Sequence, residues 1–114
     1  MTAVTENPAA LASRPVEHTR LHVGGEWVDA LGGGELDTVN PATGEVFARV
    51  ALGEDADVDR AVAAARKAFE EGPWPRMTPR ERAAALWRLG DLILADGPEM
   101  ARVETLDQGK PYAI

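Results

Sequence analysis

Side chains able to carry covalent or proton-transfer chemistry are sparse in this chain, which has no cysteine and only two histidines, His18 and His22. A nucleophile needs a base within reach, and neither histidine belongs to a companion motif, so both read as structural or surface residues. The lack of cysteine also rules out disulfides and thiolate zinc sites within the chain. The acids Glu54, Asp55, Asp57 and Asp59 are clustered, but they lack the glycine and terminal glutamate of a calcium loop and read as a solvated helix start. Neither Gly24-Gly25 nor Gly32-Gly33-Gly34 follows a buried strand and opens a helix, as a dinucleotide-binding turn does, so both read as turns. No catalytic and no cofactor-binding residue is therefore assigned.

The elements around these residues fall into an arm, a β portion and a helical portion. Residues 1–19 read as a flexible arm. From Arg20, Leu21-His22-Val23 and Glu26-Trp27-Val28 flank Gly24-Gly25 as two short strands. The three glycines 32–34 suggest a second hairpin-like reversal into Leu36–Val39. Asn40-Pro41-Ala42-Thr43-Gly44 then has proline and glycine placed for a tight turn into a strand over Glu45–Val50. Beyond residue 52, Val58, Ala61, Val62, Ala65 and Phe69 recur at helical spacing, and Gly72-Pro73 closes the segment. Thr78-Pro79-Arg80-Glu81 reads as a capping box with proline at the first helical position. Asp96-Gly97-Pro98 is expected to end this helix and start a third, which stops at Gly109-Lys110-Pro111.

Composition narrows the classes of function. With 45% hydrophobic and 27% charged residues among 114, the chain is ordinary for a globular protein with one modest core. No apolar run approaches the length of a membrane span. A net charge of −7 offers no basic field to nucleic acid or an anionic membrane surface. Residues 1–15 carry one basic residue, Arg14, and fit neither a secretory signal nor an Arg-rich transit peptide, so a cytoplasmic location is expected. Trp27, Trp74, Trp87, Phe47 and Phe69 are much bulk for so few layers, and some apolar surface expects a partner.

Read in order, Gly25-Glu26-Trp27-Val28, Thr38-Val39-Asn40-Pro41-Ala42-Thr43-Gly44-Glu45-Val46, Asp57-Val58-Asp59 with Ala61-Val62, Gly72-Pro73-Trp74 and Glu104-Thr105-Leu106-Asp107-Gln108-Gly109-Lys110-Pro111 resemble the opening of the NAD(P)-dependent aldehyde dehydrogenase superfamily. The resemblance covers about residues 20–114. It implies an α/β fold, α+β as an isolated fragment, with short hairpins and three helices from the outer part of a Rossmann-like cofactor-binding domain. It implies oxidation of an aldehyde to a carboxylic acid with NAD or NADP, through a cysteine thiolate and a glutamate-activated water. In the family those groups, the oxyanion-stabilising asparagine and most cofactor contacts lie downstream of this segment. Glu104 does not match the family's general base. One site carries over: a monovalent cation, potassium or sodium, bound by the backbone carbonyls of Thr38 and Val39 and by Asp107, an oxygen-only set suited to a hard ion. The resemblance further implies a parent that is a homodimer or homotetramer, acting on a small-molecule aldehyde.

The sequence stops just after a family motif, at Pro111-Tyr112-Ala113-Ile114, so residues 20–114 are expected to be an incomplete domain, inactive in isolation. An alternative is a non-catalytic module that docks on a full-length homologue through Val62, Ala65 and Phe69 or Leu86, Leu89 and Ile93. Nucleotide binding by the chain alone is the weakest reading, because no phosphate-binding turn is present.

Overall fold

The computed structural model describes residues 8–112. Residues 1–7 of the expected arm, and Ala113 and Ile114, lie outside the described residues. The order is α1 (Pro8–Ala12), β1 (Leu21–Val23), β2 (Glu26–Val28), β3 (Glu35–Val39), β4 (Val46–Ala51), α2 (Asp55–Glu71), a 3₁₀ turn (Trp74–Arg76) and α3 (Pro79–Gln108). The fold is mixed α/β, with two separate two-stranded sheets, β1-β2 and β3-β4.

The β1-β2 ladder is antiparallel, pairing Leu21 with Val28, His22 with Trp27 and Val23 with Glu26. Gly24 and Gly25 both hold positive φ, 63° and 91°, as a two-residue hairpin turn with right-handed strand twist requires. The glycines at 32–34 do not make a second hairpin: β3 pairs with β4 across the Asn40–Gly44 turn. That turn is over-determined. The Gly44 N–H donates to the Asn40 carbonyl at 2.8 Å, the Asn40 N–H to the Glu45 carbonyl at 2.9 Å, and the Ala42 N–H to the Asn40 side chain at 2.9 Å. Four residues of local bonding outcompete a bare glycine run as the site of reversal.

Helix α2 begins where the clustered acids predict, and it ends at Gly72. This glycine has an ordinary φ of −67°, so no left-handed cap is formed; a Cβ there would overlap the Ala68 carbonyl, and close approach is what demands glycine. Helix α3 starts with the expected box: the Thr78 N–H donates to Glu81 Oε2 at 2.7 Å and the Glu81 N–H to Thr78 Oγ1 at 3.3 Å. The expected break at Asp96-Gly97-Pro98 does not occur. Pro98 sits inside a single 30-residue helix, so the second and third expected helices are one. Proline removes one hydrogen bond and crowds the carbonyl four residues earlier, but helix flanking it on both sides needs no new nucleus.

The chain divides into two compact units. One comprises residues 1–19, 35–50 and 96–114, the other residues 20–34 and 51–95. In the first, Leu11, Asn40, Arg102 and Leu106 are buried; in the second, Ala30 and Asp57 are. Most bulky apolar residues stay outside. On α3 Trp87 is 77% and Leu94 80% exposed, and on α2 Phe69 is 74% exposed, so the helix faces lack the cover their periodicity anticipates.

Candidate functional site

The residues carried over as cation ligands all lie in the first unit. Thr38 and Val39 are the last two residues of β3, half-buried and exposed respectively. Asp107 is exposed in the last turn of α3. Their two motifs meet through Pro41 and Gly109: a Cβ on Gly109 would come within 3.2 Å of Pro41 Cγ. Gly109 has φ 71° and donates its N–H to the Thr105 carbonyl at 3.0 Å, the left-handed cap expected after a helix. Two independent demands, handedness and space, make this position glycine. The turn after β3 is thereby seated against the end of α3.

The donor chemistry there suits a hard cation. Strand-end carbonyls and a carboxylate are oxygen ligands, and the C-terminal end of a helix carries the negative end of its dipole. Lys110 does not compete for Asp107; its Nζ lies 3.1 Å from Glu104 Oε1. Among the described residues no group of three or more His, Cys, Asp and Glu side chains is placed to hold a metal ion, so any cation here depends on backbone oxygens and water.

Beside Asp107 runs a groove of about 640 Å³. Val16, Glu17 and His18 line it, as do Met100, Val103 and Glu104 of α3. The segment leading to that wall is held by Arg102, whose side chain is fully buried. Its Nη1 donates to the carbonyls of Leu11 at 2.8 Å and Arg14 at 3.2 Å, and its Nη2 to that of Pro15 at 3.3 Å. Nε donates to Glu99 Oε2 at 2.9 Å, and Nη2 bonds Glu99 Oε1. These charged hydrogen bonds hold the Glu99 carboxyl below its ordinary pKa and raise that of Arg102.

The second unit has its own buried charge. The Asp57 carboxylate accepts the Leu31 N–H at 3.1 and 3.3 Å and the Glu54 N–H at 3.2 Å. It thus ties the loop after β2 to the first turn of α2. His22 packs on Trp27 with ring centroids 4.8 Å apart and lines a cavity of about 670 Å³ with Gly24, Ala61, Ala64 and Ala68. The glycines 24–25 turn a hairpin and do not open a helix, so this pair is not the phosphate-binding turn of a dinucleotide site. Neither Arg102 nor Asp57 was singled out for these contacts by the sequence, where one is a mid-helix arginine and the other one of a run of acids.

Comparison with known proteins places this architecture. Residues 27–114 match the family described as "Aldehyde dehydrogenase family". The mitochondrial aldehyde dehydrogenase family 2 member B4 of Arabidopsis thaliana is 50% identical over 97 residues, 85% of this chain and 18% of that protein. The mitochondrial aldehyde dehydrogenase of Equus caballus is 48% identical over 108 residues, 94% of this chain and 22% of that protein. Among solved structures, gamma-glutamyl-gamma-aminobutyraldehyde dehydrogenase from Burkholderia cenocepacia J2315 is 41% identical with a TM-score of 0.86, over 92% of this chain and 21% of that one. Indole-3-acetaldehyde dehydrogenase of P. syringae, in complex with NAD+, is 36% identical with a TM-score of 0.86, over 95% of this chain and 22% of that one. The chain spans about a fifth of the length of these relatives. With most of its length matched in both sequence and fold, the chain belongs to the aldehyde dehydrogenase family.

Proposed function

We propose that this chain is the leading segment of an NAD(P)-dependent aldehyde dehydrogenase, a cytoplasmic homodimer or homotetramer that oxidises a small aldehyde to its carboxylic acid. The observation that carries this reading is the continuous family match over residues 27–114; the NAD+ bound to the P. syringae relative supports the choice of cofactor. NAD(P) supplies the hydride acceptor when bound, and no residue of this chain is assigned to holding it. The 114-residue chain has no cysteine, so the thiolate nucleophile of the reaction must come from another segment, and the isolated chain is inactive. Residues 20–114 are then part of one domain, preceded by the arm 1–19.

The test compares the isolated chain with the protein read in frame through the DNA beyond Ile114. The longer protein should form NADH or NADPH in an aldehyde-dependent way, and the isolated chain should not. NADH formation by the isolated chain, or its absence from the longer protein over a panel of aldehydes, would refute the proposal. Imaging a tagged version of the longer protein checks its compartment, since several relatives are mitochondrial by name.

Within that enzyme, Thr38, Val39 and Asp107 are proposed to bind potassium or sodium, supported by the oxygen-only donors and the seating of the β3 turn against the end of α3. Asp107→Ala in the longer protein should remove the rise in melting temperature on adding potassium chloride over choline chloride. Equal shifts in both variants would discard the site.

A second reading draws on the exposed faces of α2 and α3: the chain acts as a non-catalytic module docking on a full-length homologue. It requires a monodisperse, cooperatively melting 114-residue protein that co-elutes with the homologue in size-exclusion chromatography.

A further inference from the structure

We propose that residues 10–18 form a strap latched onto α3 by the Arg102 side chain, so that one guanidinium governs whether the groove beside Glu104 and Asp107 is walled or open. The inference stands apart from the aldehyde dehydrogenase reading, because it needs neither cofactor nor substrate.

The strap cannot hold itself. Helix α1 has five residues, far short of a length stable in water, and its last carbonyls have no helical partner. Apart from the Ser13 bonds to the Ala10 carbonyl, the acceptors at Leu11, Arg14 and Pro15 are satisfied by Arg102, from 87 to 91 residues away in sequence. The guanidinium is saturated on its other edge by Glu99, and Arg14 adds a contact to the same carboxylate at 3.4 Å. Leu11 of the strap and Leu106 of α3 are both buried.

The arrangement is all or none. A buried arginine gains from its carbonyls only while the strap is seated, and leaving it unpaired in a closed site is costly. Release therefore frees Leu11, the three carbonyls and the guanidinium together. It also removes Val16, Glu17 and His18 from one side of the groove. The fork geometry is specific to arginine, since an ammonium cannot bridge Glu99 and three carbonyls from one plane.

Because the chain has no cysteine, a single introduced thiol reports strap opening in the 114-residue chain. In Leu11→Cys, reaction with a small aromatic disulfide should run at least about a hundredfold slower than in the guanidinium-unfolded chain. Adding Arg102→Lys should accelerate it by roughly tenfold or more, as expected for loss of a charge-assisted contact. Ala30→Cys, buried in the other unit, serves as the control and should change by less than about twofold on the same substitution. Where Arg102→Lys fails to give helical protein by circular dichroism, Glu99→Gln carries the test, with an expected acceleration of about threefold. The latch is overturned if neither substitution speeds labelling at Leu11→Cys, if Leu11→Cys already reacts at the unfolded rate with Arg102 intact, or if Ala30→Cys accelerates as much as Leu11→Cys.

Discussion

Two buried charges, Asp57 and Arg102, each bond backbone groups distant in sequence. Asp57 is 3% exposed, and its carboxylate satisfies backbone donors on two separate segments. Asp57→Ala strands both donors and should cost about 2–3 kcal/mol, read as a lower urea midpoint; Asp57→Asn retains an acceptor oxygen and should cost less. Glu99 and Glu81 contribute through their lowered pKa values, Glu99 by its bonds to Arg102 and Glu81 by its bonds to Thr78. A carboxylate depressed in the folded state stabilises it fully above the unfolded value of about 4.3 and loses that contribution as pH falls through the folded value. The melting temperature should therefore be level between about pH 5 and 7 and fall below about pH 4, with a shallower fall in Glu99→Gln. Identical profiles would contradict this. The sequence placed Asp57 correctly near a helix start but as a solvated acid, because its main partner lies 26 residues away. Arg102 carried no signal at all: its acceptors are backbone carbonyls, which have no residue identity to read.

Helix starts and the hairpin turn were legible because their chemistry is local. Thr78 and Glu81 are three residues apart and bond each other; Thr78→Ala should cost about 1 kcal/mol, checked by chemical denaturation. The 24–25 turn likewise followed from two glycines between strand-forming runs. The error at Asp96-Gly97-Pro98 has the opposite origin. Gly97 and Pro98 are individually poor in helices, yet α3 continues through them and buries Arg102 and Leu106 beyond, so packing downstream outweighs local propensity. Pro98→Ala restores a backbone donor in mid-helix and should stabilise the chain by on the order of 1–3 kcal/mol. A destabilised variant would mean that proline is needed for the path of α3. The tight turn at Asn40–Gly44 into the next strand was likewise legible, whereas the second reversal expected at glycines 32–34 failed, since a glycine run signals freedom to turn but not which strands meet.

At the scale of the whole chain, apolar surface exceeds what these elements cover for one another. Val58, Val62 and Phe69 on α2 and Leu86, Trp87, Leu89, Leu92, Ile93 and Leu94 on α3 are all exposed, and surface of this kind drives association. The isolated chain should therefore bind a hydrophobic dye and scatter light on concentration. Trp87→Lys with Leu94→Lys should reduce scattering without loss of helical circular dichroism; unchanged scattering would point to another face. The periodicity of these residues was readable from sequence, but what covers them was not, because a helix stripe records that it packs without recording on what. This exposed stripe has a consequence in time as well as in space. In the proposed enzyme, at roughly 5–20 residues per second, making the four-fifths of a chain of the relatives' length that this segment does not cover takes tens of seconds. Throughout that interval the apolar helix faces stay as exposed as they are in this chain. Synthesis of such a protein thus creates a window in which a chaperone, or a neighbouring nascent chain of the same kind, meets Trp87 and Leu94 before their own partners exist.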